Sequence, residues 1–367
     1  MKKRILCLLS CSLATLAGWA GAQTSPQAAL LALSKQDHTL AIVDPADLHV
    51  VARIPVGDDP HEVIASSDGK TAYVSNYGFG AFHTLSVIDL VGQSRLASID
   101  LGALRGPHGL DFKLGKVWFT AEAAKAIGSY DPAIGKIDWI MGTGQDRTHM
   151  LYVFADGKRI VTTNVSSSTV TILEKTEGRA GGGPPPGMPP FGGPPSPGER
   201  SSGAQPPSGM PPGPPPGPPG GDWKLTVIPV GRGSEGFDIS PDGKEVWVAN
   251  AWDGTVSVID IAQKKVTATL TANVRGANRL KFTPDGKRVL VTAGSALVIL
   301  DAATHKDLKR LASVHGSGGI QMQPDGARAF VACGRDNYVA AIDLNSLEPV
   351  GKIDVASPDG LAWAARE

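Results

Sequence analysis

Counted seven residues back from the Asp of five Asp-Gly pairs, the chain carries His61, His149, Glu235, Asn278 and Gly318. The stretches GPHGLDF (106–112) and SPDGLAW (357–363) put His108 and Asp359 at the same place in two further copies. In chain order the series reads His, His, His, Glu, Asn, Gly, Asp. Neutral imidazole nitrogen and carboxylate oxygen are the ligands that Zn, Cu, Ni or Fe accept. A His beside a carboxylate is equally a general acid or base. His61, His108, His149 and Glu235 are therefore candidates for a divalent transition metal, and the series with Asn278 and Asp359 is a candidate for holding a small anionic ligand. The same side chains could instead close a channel mouth by bonding backbone and water. Arg105, Arg147, Arg232 and Arg275 each stand two or three residues before a member of the series, and Arg279 one after. Planar cations there suit a carboxylate or phosphate, with solvated loop arginines as the plain alternative.

Such a series needs a frame that repeats. PHEVIASSDGKTAYVSN starts at Pro60, PHGLDFKLGKVWFTAE at Pro107 and THMLYVFADGKRIVTTN at Thr148. SEGFDISPDGKEVWVAN starts at Ser234, ANRLKFTPDGKRVLVTA at Ala277, SGGIQMQPDGARAFVAC at Ser317 and the truncated PDGLAWAARE at Pro358. Apart from one interval of double length, the starts fall 40 to 47 residues apart, a period that marks a repeat architecture. Each copy alternates apolar and polar residues through a strand, turns at Asp-Gly, and continues into strands such as TAYVSN, TLSVIDL and ARIPVG. This is the pattern of hairpins joined into four-stranded antiparallel blades. Near the N-terminus LLALSK, TLAIVD and VVARIPV read as strands two, three and four of a blade without its first strand, which LAWAARE supplies. The expected fold is all-β, a seven-bladed propeller closed by pairing its two ends, with the His-to-Asp series around the axis at the starts of the innermost strands.

Residues YVSN (73–76) followed by LSVIDL, and PDGKEVWVAN followed by GTVSVIDI, resemble the YVTN β-propeller repeat family. The resemblance implies a seven-bladed fold and an extracytoplasmic setting. Similar in form are lactonase propellers and the haem d1-binding domain of a nitrite reductase, but no catalytic set from any of them maps onto this chain.

Several other residues carry a structural reading. Asp68, Asp156, Asp242, Asp285 and Asp325 precede glycines that accept the positive φ of a tight turn, on the face away from the series. Asp44, Asp89, Asp131, Asp260, Asp301 and Asp343 end third strands, where a carboxylate caps the following turn. Tyr77, Phe79 and Phe82 in NYGFGAFHT, and Trp252 in NAWDGT, occupy turns on the same face as the series.

Lys2, Lys3 and Arg4, the apolar ILCLLSCSLATLAGWA and the small residues before Gln23 make residues 1–22 a signal peptide, so a periplasmic or secreted protein is expected, with no transmembrane segment in the mature chain. Of 35 Lys and Arg in all, these three go, leaving 32 against 35 Asp and Glu. That balance does not recommend a nucleic-acid partner. Only Cys333 of three cysteines then remains, so no disulfide forms within the chain, and AFVACG reads as an apolar strand. Residues 181–221 hold 30 Gly and Pro in 41 positions. They are too poor in apolar side chains to build a core, and are expected as a disordered insert between strands three and four of one blade in a single propeller spanning 23–367.

The sequence contains no nucleotide-binding glycine loop, CxxCH, nucleophile elbow or HExxH. Two readings stand: an extracytoplasmic protein that binds a small anion or another extracytoplasmic protein at its ringed face, or a metal- or cofactor-dependent hydrolase or oxidoreductase with its site in the same ring.

Overall fold

Alternating strands and Asp-Gly turns build seven antiparallel sheets in the computed structural model, which describes residues 24–176 and 223–366. The expected signal peptide (1–22) and Gly/Pro-rich insert (181–221) lie outside the described residues. Six internal blades begin with the strands Pro60–Ala65, Pro107–Lys113, Thr148–Val153, Ser234–Ile239, Arg279–Phe282 and Ser317–Met322. They are called here the first to sixth blades. The seventh is composite: strand Pro358–Ala365 pairs antiparallel with Ala28–Ser34, which continues into Thr39–Val43 and Val50–Pro55. In the first blade the outermost strand is broken into Ser94–Arg95 and Ile99–Asp100. The other blades have four unbroken strands.

The turns form as their residues dictate. Asp68 accepts bonds from the Lys70 amide and the Ser66 hydroxyl while Gly69 turns at φ +66°. Asp242, Asp285 and Asp325 act in the same way in their own turns. Asp89, Asp260, Asp301 and Asp343 cap the turns after third strands by accepting backbone amides.

Because each blade packs between two others, strands two and three are buried on both faces, as in Thr71–Asn76 and Thr255–Asp260. Outer strands such as Lys136–Gly142 alternate instead. Apolar side chains fill all seven junctions. Phe119 and Leu85 pack between the first and second blades, Trp247 and Val289 between the fourth and fifth, and Phe330 and Leu30 between the sixth and the composite blade. Leu33 and Val74 complete the circle between the composite and first blades. Burial of this surface is the main stabilising term, and closure leaves only short strand edges, at the channel and at the outer rim.

The repeated PHG, SEG, SGG and PDG have a packing cause. Gly109, Gly236, Gly319 and Gly360 each follow a ring residue, and a Cβ there would lie 2.3 to 2.6 Å from the carbonyl oxygen of the next blade's ring residue, respectively His149, Asn278, Asp359 and His61. Hydroxyls fix the same carbonyls: Thr120 Oγ1 donates to His149 O at 2.8 Å, and Thr163 Oγ1 to Glu235 O at 2.7 Å. Neighbouring inner strands therefore approach closely at the level of the ring.

Candidate metal and anion site

The innermost strands bring His61, His108 and His149 side by side at the channel mouth. Ring centroids are 4.3 Å apart for His61 and His108, and 3.7 Å for His108 and His149. The three do not form one ligand set. Lys35, at the end of the N-terminal strand, donates to His61 Nδ1 at 2.6 Å and also contacts Asp59 and Asp359 at 3.0 and 3.5 Å. That bond engages the Nδ1 lone pair, and burial together with Lys35 holds the imidazole well below its usual 6.5, hence neutral.

A compact cluster of His108, Glu122 and His149 replaces the expected His61, His108, His149 and Glu235. One donor atom from each of the three lies within 4.8 Å of the others. The side chains are 0%, 5% and 3% exposed. Neither ring nitrogen of His108 has a hydrogen-bond partner among the described residues. Burial, with His149 and His61 nearby, keeps it neutral and well below 6.5. A buried imidazole with both nitrogens unsatisfied is unfavourable unless something is bound there.

Ala121 sits where the repeat has Asn76, Asn164 and Asn250, and Glu122 follows it in the turn position that Tyr77, Val165 and Ala251 hold in other blades. Those asparagines staple their own blades: Asn76 donates to Thr84 and Ser86, Asn164 to Thr169 and Thr171, and Asn250 to Thr255 and Ser257. In the second blade the corresponding third strand has Ala126 and Gly128, so no hydroxyl remains to be bonded. Glu122, one residue beyond the strand, reaches the neighbouring blades. It accepts from Tyr77 Oη and from His149 Nδ1, each at 2.5 Å, and lies 3.6 Å from Arg147 Nε. Burial opposes its charge, but His149, His108 and Tyr77 outweigh that and pull its pKa from 4.5 to about 2.

His149 also contacts Glu235, with Nε2 at 2.7 Å from Oε2, in a geometry that is ionic rather than an aligned hydrogen bond. Burial disfavours the imidazolium, but Glu235 and Glu122 overcome this and raise His149 to about 9. Glu235 is lowered in turn, as His149 and Arg147 outweigh its burial. Glu122, His149 and Glu235 thus form a buried carboxylate, imidazolium and carboxylate row running from the cluster to the mouth.

The mouth is a cavity of about 540 Å3 lined by Lys35, Arg147, His149, Glu235, Arg279 and Arg335, with His61, Asn278 and Asp359 also on its wall. Arg279 donates to Asn278 O and pairs with Glu62 of the first blade, closing the floor. Burial raises the Asp359 carboxyl against the pull of Arg279 and Lys35. Gly318 contributes no side chain, so the sixth blade leaves its part of the ring bare. Of the five flanking arginines, Arg147 and Arg279 reach the cavity. Arg232 pairs with Asp253, and Arg105 and Arg275 are exposed outside it. Their direction follows their offset: Arg147 stands two residues before its ring position, at the positive-φ site (+53°) that Asp59, Gly106, Gly233 and Gly276 hold in other blades, whereas Arg105, Arg232 and Arg275 stand three before. Lys35, Glu62 and Glu122 were not singled out from sequence. For Glu122 a signal existed, since it is a charged residue in the turn position held by Tyr77, Val165 and Ala251 in other blades.

The donor set of two imidazoles and one carboxylate can coordinate a divalent metal ion. His108 and Glu122 offer free electron pairs as they stand, and His149 does so after losing its proton. A buried His/Glu/His cluster opening through His149 on a cation-lined cavity suits metal or ligand binding, for recognition or for catalysis.

No protein-family model and no curated protein matches the chain. Solved structures do. A functionally unknown protein from Desulfotomaculum acetoxidans is similar with a TM-score of 0.68 at 12% identity, over 92% of this chain and 99% of that one. A protein from Bacteroides uniformis, provisionally named a 6-phosphogluconolactonase, is similar with a TM-score of 0.68 at 14% identity, over 92% and 99%. A dihydro-haem d1 dehydrogenase is similar at 0.58 and 14% identity, over 92% and 75%. At such identities the likeness establishes a seven-bladed β-propeller fold shared with lactonase-type and haem d1-type propellers.

Proposed function

We propose that the protein is an exported, metal-dependent hydrolase of YVTN-repeat type, with a divalent ion held by His108, Glu122 and His149 and a small anionic substrate admitted through the mouth. The observation that carries the reading is His108, fully buried with neither nitrogen bonded, beside a carboxylate and a second imidazole. A metal there would act as a Lewis acid on a substrate carbonyl. Arg147 and Arg279 supply guanidinium groups to orient a carboxylate or phosphate, and Glu235, next to His149 Nε2, is placed to accept a proton at the cavity wall. The name of the Bacteroides uniformis protein supports a phosphate-bearing lactone as the first substrate to try. His149 must release its proton before it can act as a ligand, so metal and proton compete for the site.

The test is elemental analysis of tag-free protein lacking residues 1–22, beside His108→Ala and Glu122→Gln. About one ion per chain is expected, with at least a tenfold loss in each variant. Lactones and esters bearing carboxylate or phosphate groups are then screened with the loaded protein. Protein that stays metal-free after incubation with Zn, Cu, Ni and Fe salts would overturn this reading. The cation-lined cavity supports a second one, a periplasmic or secreted binding protein for the same anions or for another extracytoplasmic protein, which calorimetry on metal-free protein would detect.

A further inference from the structure

The metal cluster does not open freely to the cavity. His149, Glu235 and His61 line the cavity, whereas His108 and Glu122 do not. His61 is tied by Lys35, and His149 is held by two carboxylates. The remaining cover is Tyr77. Its ring packs over His61 at 5.0 Å and His108 at 5.1 Å between centroids, and its hydroxyl bonds Glu122.

Tyr77 begins a loop unlike the short turns of the other blades. Gly78, Phe79 and Gly80 all have positive φ, at 55°, 50° and 86°. Phe79 is a side-chain-bearing residue in the left-handed region, where strain accompanies function more often than chance. It stands 90% exposed at the tip while its ring lies 6.1 Å from that of Tyr77. The loop is anchored at both ends, by the Tyr77 amide donating to Asp59 O and by Phe82 O accepting from the Gly106 amide. Between these anchors, residues 78–81 bond within the loop, apart from a 3.4 Å contact of Arg105 Nε with Ala81 O. The Tyr77 hydroxyl, bonded to Glu122 and interacting with Arg147, therefore holds the cover shut, and the segment beside it has little else to break.

We propose that Tyr77 and residues 78–81 form a gate through which the cluster is loaded. Opening breaks the Tyr77–Glu122 bond, swings the phenol off His108 and frees an oxygen of Glu122 as the ion arrives. The proposal rests on the metal reading above and adds the route to the site.

The gate can be locked. A Cβ at Gly80 would lie 3.5 Å from Ala123 Cβ, within the range of a disulfide, about 3.5 to 4.5 Å. Ala123 adjoins Glu122, and the one described native thiol, Cys333, is buried. Zinc uptake by the metal-free protein is followed with a chromogenic indicator for the Gly80→Cys/Ala123→Cys variant, oxidised and then reduced. Oxidation is expected to slow uptake at least tenfold and reduction to restore it. Tyr77→Phe, which removes only the hydroxyl bond, is expected to speed uptake about tenfold. Equal rates for oxidised and reduced protein overturn the gate while leaving the metal site standing. If the disulfide does not form, an unchanged rate in Tyr77→Phe overturns it. A wild-type protein that takes up neither Zn2+ nor Co2+ at equilibrium removes the metal reading and the gate together.

Discussion

Arg279 of the fifth blade and Glu62 of the first meet in a buried ion pair across the channel, 217 positions apart in the chain. Glu62 pairs the guanidinium directly, and the Asp359 carboxyl nearby favours the same charge. Arg279→Met should cost about 3 to 5 kcal/mol, the usual result of leaving one buried charge alone. Glu62→Leu combined with Arg279→Met should recover most of it. Urea unfolding of the two single variants and the double variant measures the coupling, and additive losses would show that the pair does not act as a unit.

Metal-free protein should be most stable near pH 6.5. His149 is raised to about 9, so its contribution is complete below 6.5 and is lost as pH rises towards 9. Burial lowers His61 and His108, so below pH 6.5 the unfolded chain takes protons that the fold refuses, and stability falls. Glu122, held at about 2, adds a further loss as pH drops below 4.5. Unfolding free energies at a series of pH values should show both limbs, and His149→Gln should flatten the alkaline one.

Gly109→Ala should destabilise by about 2 kcal/mol, in the range of overpacked cores, because its Cβ would press on His149 O at 2.6 Å. It should also weaken metal binding by displacing the His149 backbone. Gly142→Ala is the control, since nothing lies within 4 Å of the added methyl. Thermal unfolding of both variants separates them, and equal melting temperatures would contradict the packing argument.

Replacing residues 178–221 by a four-residue turn should leave metal content unchanged. Lys175 and Trp223 pair across the third and fourth strands of their blade, at the end away from the ring. Shortening the connection should stabilise by about 2 kcal/mol through loop-closure entropy. A fall in melting temperature would mean that the replaced residues contribute contacts to the fold.

The blades and the ring were legible because both depend on local periodicity: alternation makes the strands, Asp-Gly sets the turns, and a constant offset from the turn finds the ring. Direction was less legible. His61 and His108 occupy equivalent positions, yet one is taken by Lys35 and the other left open, a distinction made by a residue of the adjacent composite blade. Glu122 escaped notice as the first residue of an ordinary turn after the strand Lys116–Ala121. Its meaning appears only when Tyr77 and His149 of the two neighbouring blades are placed beside it. The floor formed by Glu62 and Arg279 depends on which blades face each other, which no local pattern states.

The composite blade ties folding order to chain order. Ala28 pairs with Ala365 and Leu30 with Trp363, so the earliest described strand waits for the last before its inner edge is covered. Contacts of such long sequence separation form slowly, and a chain with this topology keeps its ring open until Pro358–Ala365 has been made. The same adjacency makes the molecule a candidate for circular permutation: new termini placed within 178–221, with the old ends joined, would make the seventh blade one continuous run and pass closure of the ring to the third blade, whose outermost strand Trp223–Pro229 would then come first.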